Sequence, residues 1–165
     1  MIVHKKCDIF ESGADILCHQ VNCQGVMGSG VAKQVKKRFP IVYSEYMNWC
    51  ESRSPEDLLG CTQFIKLKSP WEARNENDFL GVLNIYGQLD YGYDGKCYTD
   101  YDALEKCFAT INFFCKEFFP ISSPVLAFPY KFGCARGGGD WEKVLGLMEK
   151  HFTDTVVLVC ECDKG

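Results

Sequence analysis

Apolar positions along this chain fall alternately into short strand-like runs and helical stripes. Residues 1–10 alternate in part and predict an edge strand. Ala14–Asn22 is a compact apolar run, the pattern of a buried strand. From Val31 to Phe39, a helix would set Val31, Ala32 and Val35 on one side and Lys33, Lys36 and Lys37 on the other, with Pro40 as its punctuation. Ile41–Glu51 predicts a second helix anchored by Tyr43, Tyr46 and Trp49. Thr62–Leu67 and Phe79–Tyr86 read as strands, and residues 87–99 as a glycine- and tyrosine-rich loop. Thr99 or Asp100 would then cap the clearest helix, in which Ala103, Leu104, Cys107, Phe108, Ile111, Phe114, Cys115 and Phe118 keep helical spacing. A short strand at Val125–Phe128, a helix with Trp141, Val144, Leu145 and Met148 on one face, and a strand at Thr155–Cys160 complete the pattern. Strands alternating with helices argue for helix–sheet–helix layers around a mostly parallel sheet.

The length of 165 residues suits one domain spanning 1–165. A net charge of −4 does not favour direct nucleic-acid binding. It permits a small anionic ligand held by backbone amides. The 11 cysteines include no CxxC pair, and the three histidines (His4, His19, His151) are scattered, so no metal site is expected. Cys18, Cys107 and Cys115 fall where a buried apolar residue would serve. Reduced thiols predict a cytoplasmic protein. The opening MIVHKKCDIF has no apolar leader and no run of 18 apolar residues exists, so neither secretion nor a membrane span is expected.

Two segments share one design of buried strand, glycine-rich loop and helix: VNCQGVMGSGVAKQ (Val21–Gln34) and FPYKFGCARGGGDWEK (Phe128–Lys143). Glycine admits positive φ and lets a ligand approach the amides. The following helix offers unpaired N–H groups and a partial positive charge to an anion. In a parallel sheet both loops lie beyond the carboxyl ends of their strands, where two facing loops would cradle a diphosphate. The plainer alternative is that the glycines only turn the chain. Neither a P-loop nor a dinucleotide fingerprint is present. A cysteine-phosphatase reading fails because Ser29 and Asp140 stand where an arginine is needed, six residues after Cys23 and Cys134.

Asp8-Ile9 after the first strand, Val21-Asn22 followed by Gly28-Ser29-Gly30-Val31-Ala32, and Gly133-Cys134-Ala135-Arg136-Gly137-Gly138-Gly139-Asp140-Trp141 together resemble the macro domain family. The likeness runs from Lys6-Cys7 to the closing strand. It is nearest the branch with terminal ADP-ribose protein glycohydrolases and ADP-ribose-1″-phosphate phosphatase. It implies a three-layer helix–sheet–helix domain with a mixed, mostly parallel central sheet, ADP-ribose or an ADP-ribosylated substrate as partner, and no cofactor. By resemblance, Asp8 would accept a hydrogen bond from the adenine amino group, helped by the Ile9 amide. Asn22 would lie beside the distal ribose and is the candidate catalytic residue. Gly25, Gly28, Ser29, Gly30 and Val31 would hold the distal phosphate and ribose. Gly133, Cys134, Ala135, Arg136, Gly137 and Gly138 would hold the diphosphate.

Several positions depart from the family's pattern. Ala32 stands where many hydrolases carry an aspartate. Gly137 takes a place that is acidic or aromatic elsewhere. Tyr86-Gly87-Gln88 lacks the lysine of the glutamate-specific enzymes, and Cys160-Glu161-Cys162 lacks an adenine-stacking aromatic. Asp140 reads as a helix cap, His19 as a satisfied buried histidine, and Tyr91, Tyr93, Tyr98 and Tyr101 mainly as packing. Arg136 would either neutralise phosphate or face solvent. Three functions remain open: a hydrolase acting at C1″ of the distal ribose, a non-catalytic ADP-ribose reader, and an unrelated nucleotide- or phosphosugar-binding enzyme.

Overall fold

The computed structural model describes residues 1–118 and 122–163. Six strands form one sheet: β1 (Ile2–Lys6), β2 (Ile16–Asn22), β3 (Thr62–Lys66), β4 (Gly81–Gln88), β5 (Leu126–Pro129) and β6 (Val157–Glu161). Five helices accompany them: α1 (Gly30–Arg38), α2 (Pro40–Ser52), α3 (Pro55–Leu58), α4 (Tyr101–Phe118) and α5 (Trp141–His151). The spatial order is β1-β6-β5-β2-β4-β3, parallel throughout except for β3 against β4. The sheet is therefore mixed and mostly parallel, with β1 at an edge as its weak alternation predicts.

The two faces of the sheet carry separate cores, as a strand buried on both sides requires. Leu17 and Val21 of β2 and Val82 and Tyr86 of β4 pack with Val35 of α1 and Val42 and Tyr46 of α2. On the other face, Ile16, Cys18, Leu83 and Ile85 pack under α4 and α5 with Leu104, Cys107, Phe108, Ile111, Cys115, Val144 and Met148. Each fully buried side chain of this size contributes roughly 1.5–3 kcal/mol. Both face assignments predicted for α1 and α4 are met. On α5 the register differs: Leu147, not Leu145, joins the core with Trp141, Val144 and Met148. Phe118 closes α4, but its side chain lies outside the described residues.

Local signals explain the boundaries. Pro40 is the first residue of α2, so it starts that helix as well as ending the previous one. Asp100 caps α4 by accepting from the Ala103 amide at 2.9 Å. Asp140 caps α5, accepting from the Glu142 amide at 2.9 Å, as the sequence predicts. The four-residue α3, capped by Ser54, and a 3-10 turn at Ile9–Glu11 are too short to leave a periodic trace in the sequence. Gly87 and Gln88, expected in a loop, belong to β4. All 11 cysteines are free, and those at 18, 107 and 115 are buried as expected.

Candidate functional site

Strands β2, β4, β5 and β6 end on the same side of the sheet, and a cleft of about 780 Å³ opens there. Of the residues expected to bind ligand, Asp8, Ile9, Asn22, Gly28, Ser29, Gly30, Val31, Gly133, Ala135, Arg136 and Gly137 line it. Three do not. Gly25 packs toward Met47 and Cys50 of α2, Gly138 against the Lys96 carbonyl, and the Cys134 thiol against the Phe132 carbonyl. These are framework positions, bent toward protein and not toward the cleft.

The first loop runs from Cys23 to Ser29 between β2 and α1. Asn22 organises it from beneath. Its carboxamide donates to the Val26 carbonyl at 2.8 Å and accepts from the Gln24 amide at 2.9 Å. The buried Tyr46 hydroxyl lies 2.7 Å from the Asn22 carbonyl and accepts from the Gly25 amide at 3.1 Å. Most of the hydrogen-bonding capacity of Asn22 is thus committed to holding the loop. Ser29 sits at the N-cap of α1 but its side chain caps nothing. Among the described residues, the amides of Met27 to Ala32 have no hydrogen-bond acceptor, the first helical bond being Lys33 to Ser29. Gly28 to Ala32 of this row line the cleft; unpaired donors at a helix N-terminus are the arrangement that binds anions.

The second loop, Gly133–Gly139 between β5 and α5, is tied differently. The Gly137 carbonyl accepts from the Tyr98 and Thr99 amides at 2.7 and 3.0 Å. The Thr99 hydroxyl donates to the Gly133 carbonyl at 2.6 Å and accepts from Gln20 at 3.0 Å. Gln20 also donates to Gln88 at 2.6 Å. The carbonyls are thereby turned inward, and among the described residues the amides of Ala135 to Gly138 are left without acceptors. This network also accounts for Gly137. A Cβ there would stand 2.5 Å from both the Gly133 carbonyl and the Thr99 hydroxyl, so no side chain, acidic or aromatic, fits. Arg136 is exposed, its guanidinium 4.4 Å from the Tyr93 ring centre, poised over the cleft mouth.

At the far end, Asp8 accepts from the Phe10 amide at 3.0 Å through Oδ1, which leaves Oδ2 for a ligand. Ile9, Cys160, Glu161 and Cys162 line the same end. Of the four loop tyrosines, Tyr91 and Tyr93 edge the cleft. Tyr98 donates to Asp94 at 2.9 Å, and the Tyr101 hydroxyl accepts from the Asp140 amide at 2.9 Å, so these two are structural.

His19 also lines the cleft, while being only 1% exposed. Gln63 donates to the Glu45 carbonyl, so its Oε1 accepts from Asn84 Nδ2 and from the Tyr86 hydroxyl. The Asn84 Oδ1 must then accept from His19 Nε2, 2.6 Å away. Burial pushes the imidazole down to about 4 against the opposing effect of Asn84. His19 is therefore neutral, protonated on Nε2, and its buried Nδ1 carries a lone pair without a partner. The expectation of a satisfied histidine holds for one nitrogen and fails for the other. The signal for His19, Gln20 and Gln88 was available: polar residues inside or at the end of otherwise apolar strands. Thr99 and Tyr46 become part of the site only through the fold.

No family model matches the chain. An ADP-ribose 1″-phosphate phosphatase of Meyerozyma guilliermondii is 40% identical over 79 residues, 44% of this chain and 45% of that protein. A DNA ADP-ribosyl transferase–DNA ADP-ribosyl glycohydrolase fusion protein of Thermosipho africanus is 26% identical over 148 residues, 88% of this chain and 37% of that protein. The match thus spans less than half the length of these relatives. Among solved structures, the macrodomain of Mycobacterium tuberculosis DarG superposes with a TM-score of 0.77 at 21% identity, covering 98% of this chain and 97% of that one. Thermosipho africanus DarTG in complex with ADP-ribose gives 0.76 at 25% identity, covering 99% of this chain and 42% of that one.

Proposed function

Starting from a chain with the macrodomain fold, we propose that it binds ADP-ribose, or a derivative, across the two loops and hydrolyses a substituent at C1″ of the distal ribose. The observation that carries this is that two glycine-rich loops line one cleft and that each has backbone amides without acceptors among the described residues. Each row suits a phosphate, and their union suits a diphosphate flanked by two ribosyl groups. Asp8, acceptor-only when ionised, supplies the far end with a partner for an exocyclic amino group. The relative named as an ADP-ribose 1″-phosphate phosphatase and the DarTG complex with ADP-ribose support the ligand class.

For hydrolysis, water attacks C1″ and the bond from C1″ to the leaving oxygen breaks. The first-loop amides stabilise the charge that develops there. The proton of the attacking water leaves with the departing oxygen; His19 Nδ1, buried and pushed down to about 4, is too weak a base to take it near pH 7. Ala32 and Gly137 bring no carboxylate to this chemistry. A reader without turnover is the second reading, favoured by those same two positions.

Calorimetry should give micromolar ADP-ribose, about −8 kcal/mol, and clearly weaker AMP, which lacks the distal ribose and one phosphate. Equal affinities would sink the two-loop cradle. Phosphate release from ADP-ribose 1″-phosphate and cleavage of an ADP-ribosyl ester then separate enzyme from reader. Turnover of neither, with binding intact, establishes the reader. Asn22→Ala is a poor probe of chemistry, since it removes the loop's internal support.

A further inference from the structure

Three polar side chains stand level with one another across the sheet. Gln63 of β3 is paired with Asn84 of β4, and Asn84 with His19 of β2. All three are buried. Their hydrogen bonds run one way. The Glu45 carbonyl of α2 can only accept, so it takes the Gln63 amide nitrogen, 2.8 Å away, and turns the Gln63 Oε1 to Asn84 and to the Tyr86 hydroxyl, at 3.1 and 2.8 Å. Asn84 then has only its Oδ1 to offer His19. The chain of bonds thus begins at a helix carbonyl and ends at a single lone pair, that of His19 Nδ1, which has no partner among the described residues. His19 lines the cleft, and with it Val31, Pro129 and Cys160, which bring no other polar side-chain donor but a thiol. A buried polar atom left unpaired at a ligand cleft is rare in a folded chain unless a ligand completes it.

We infer that His19 is a specificity-determining residue of the cleft, whose Nδ1 accepts one hydrogen bond from an O–H or N–H of the bound ADP-ribose, and that Gln63 and Asn84 are positioning residues that hold the ring in the accepting tautomer. The inference rests on the reading that ADP-ribose occupies the cleft. The tautomer of an imidazole is set by the bond its other nitrogen makes, and here that bond is the last link of the chain. Burial keeps the ring neutral. The consequence is a division of labour. The loop amides attract oxygens wherever these fall along the ligand. A lone pair refuses them and rewards only a donor. Together they fix the register of the ligand, with phosphate oxygens on the amides and one amino or hydroxyl group on His19.

The test uses the whole chain, labelled with ¹⁵N at its three histidines. Saturation with ADP-ribose should move the His19 Nδ1 resonance upfield, as acceptance of a hydrogen bond does, and leave Nε2 protonated; an unmoved Nδ1 overturns the inference. His19→Phe should keep a native circular dichroism spectrum and bind ADP-ribose about tenfold more weakly by calorimetry. Analogues then name the donor: one with hypoxanthine in place of adenine, and one lacking a hydroxyl on either ribose. One of them should bind the wild type about tenfold more weakly than ADP-ribose does and show no such loss in His19→Phe. Equal losses in both proteins for every analogue overturn the inference. Asn84→Asp places a carboxylate beside Nε2 and favours the imidazolium, whose Nδ1 donates instead of accepting. Its ADP-ribose affinity should fall from about pH 8 to about pH 6 while that of the wild type stays level. The other titratable groups on this side of the sheet, Asp8, Tyr46, Tyr86, Cys160 and Glu161, are common to both proteins, so the difference between the profiles belongs to His19. Coincident profiles overturn the positioning role. A wild type that does not bind ADP-ribose refutes the cleft reading itself, whereas a wild type that binds while His19→Phe binds equally well refutes only the role of His19.

Discussion

The two glycine-rich loops look alike in sequence and are built on different principles. The first is supported from below by Asn22 and Tyr46 and opens onto a helix whose N-cap serine leaves its amides unpaired. The second opens onto a helix already capped by Asp140, and its donors come from the loop itself, turned outward by Thr99 and Gln20. The key glycines differ to match. Gly30 has φ +60° and nothing within 4 Å of where a Cβ would stand, so it is glycine for its backbone conformation. Gly137 is glycine for room, since Thr99 and Gly133 fill the space around it. Equal motifs therefore do not imply equal roles: one loop contributes helix-end electrostatics, the other a rigid wall.

Gly30→Glu should break the first loop's function most severely. The strained φ costs roughly 1–2 kcal/mol of stability. The new carboxylate repels the phosphate and lowers ADP-ribose affinity by at least about 4 kcal/mol. Circular dichroism and calorimetry read the two effects apart; native spectra with unchanged affinity would remove the first loop from the phosphate site.

Acid should act next, and through the polar network beneath the first-loop face. The unfolded chain protonates His19 near pH 6.5, the folded chain only near pH 4. Between these values the unfolded state holds more protons, so stability rises with pH. The full contribution is present above about pH 6.5 and is lost as pH falls toward 4, by about 2 kcal/mol at pH 5. Urea midpoints at pH 7.5 and 5 in the wild type and in His19→Gln provide the check. The same pH slope in both would show that His19 is not buried as described.

Gly137→Ala should have the smallest effect, an overpacking cost of about 1–3 kcal/mol felt as a lower melting temperature and a loosened second loop. A variant as stable as the wild type would mean that Thr99 does not hold the loop at Gly137.

Much of this was legible in the sequence because it rests on periodicity. The apolar faces of α1 and α4 and the buried strand at β2 follow from spacing alone. The glycine loops follow from composition, and their placement in one cleft from strand–loop–helix order. What sequence could not show was which way each backbone group turns. Gly25 and Gly138 bend toward protein because Met47 and Lys96 stand beside them, neighbours 22 and 42 residues distant in the chain. Asn22 was placed correctly at the strand end, but only its partners reveal that its carboxamide is spent on the loop. His19 was read as satisfied because nothing in the sequence shows that Asn84 meets one nitrogen and leaves the other.

The pairing of β2 with β4 runs Val21 to Tyr86 and then Asn22 to Gln88, passing over Gly87. That one extra residue reverses the alternation at the strand's end, so Gln88 meets Gln20 above the α4 side of the sheet and does not follow Asn84 and Tyr86 beneath α2. A Cβ on Gly87 would lie 2.5 Å from the Gln20 carboxamide, so the inserted residue has to be the smallest one. For anyone aligning or grafting this segment, the bulge has to travel with Gly87. Pairing Gly87 regularly, without the bulge, would turn Gln88 away from Gln20 and exchange one wall of the cleft for another.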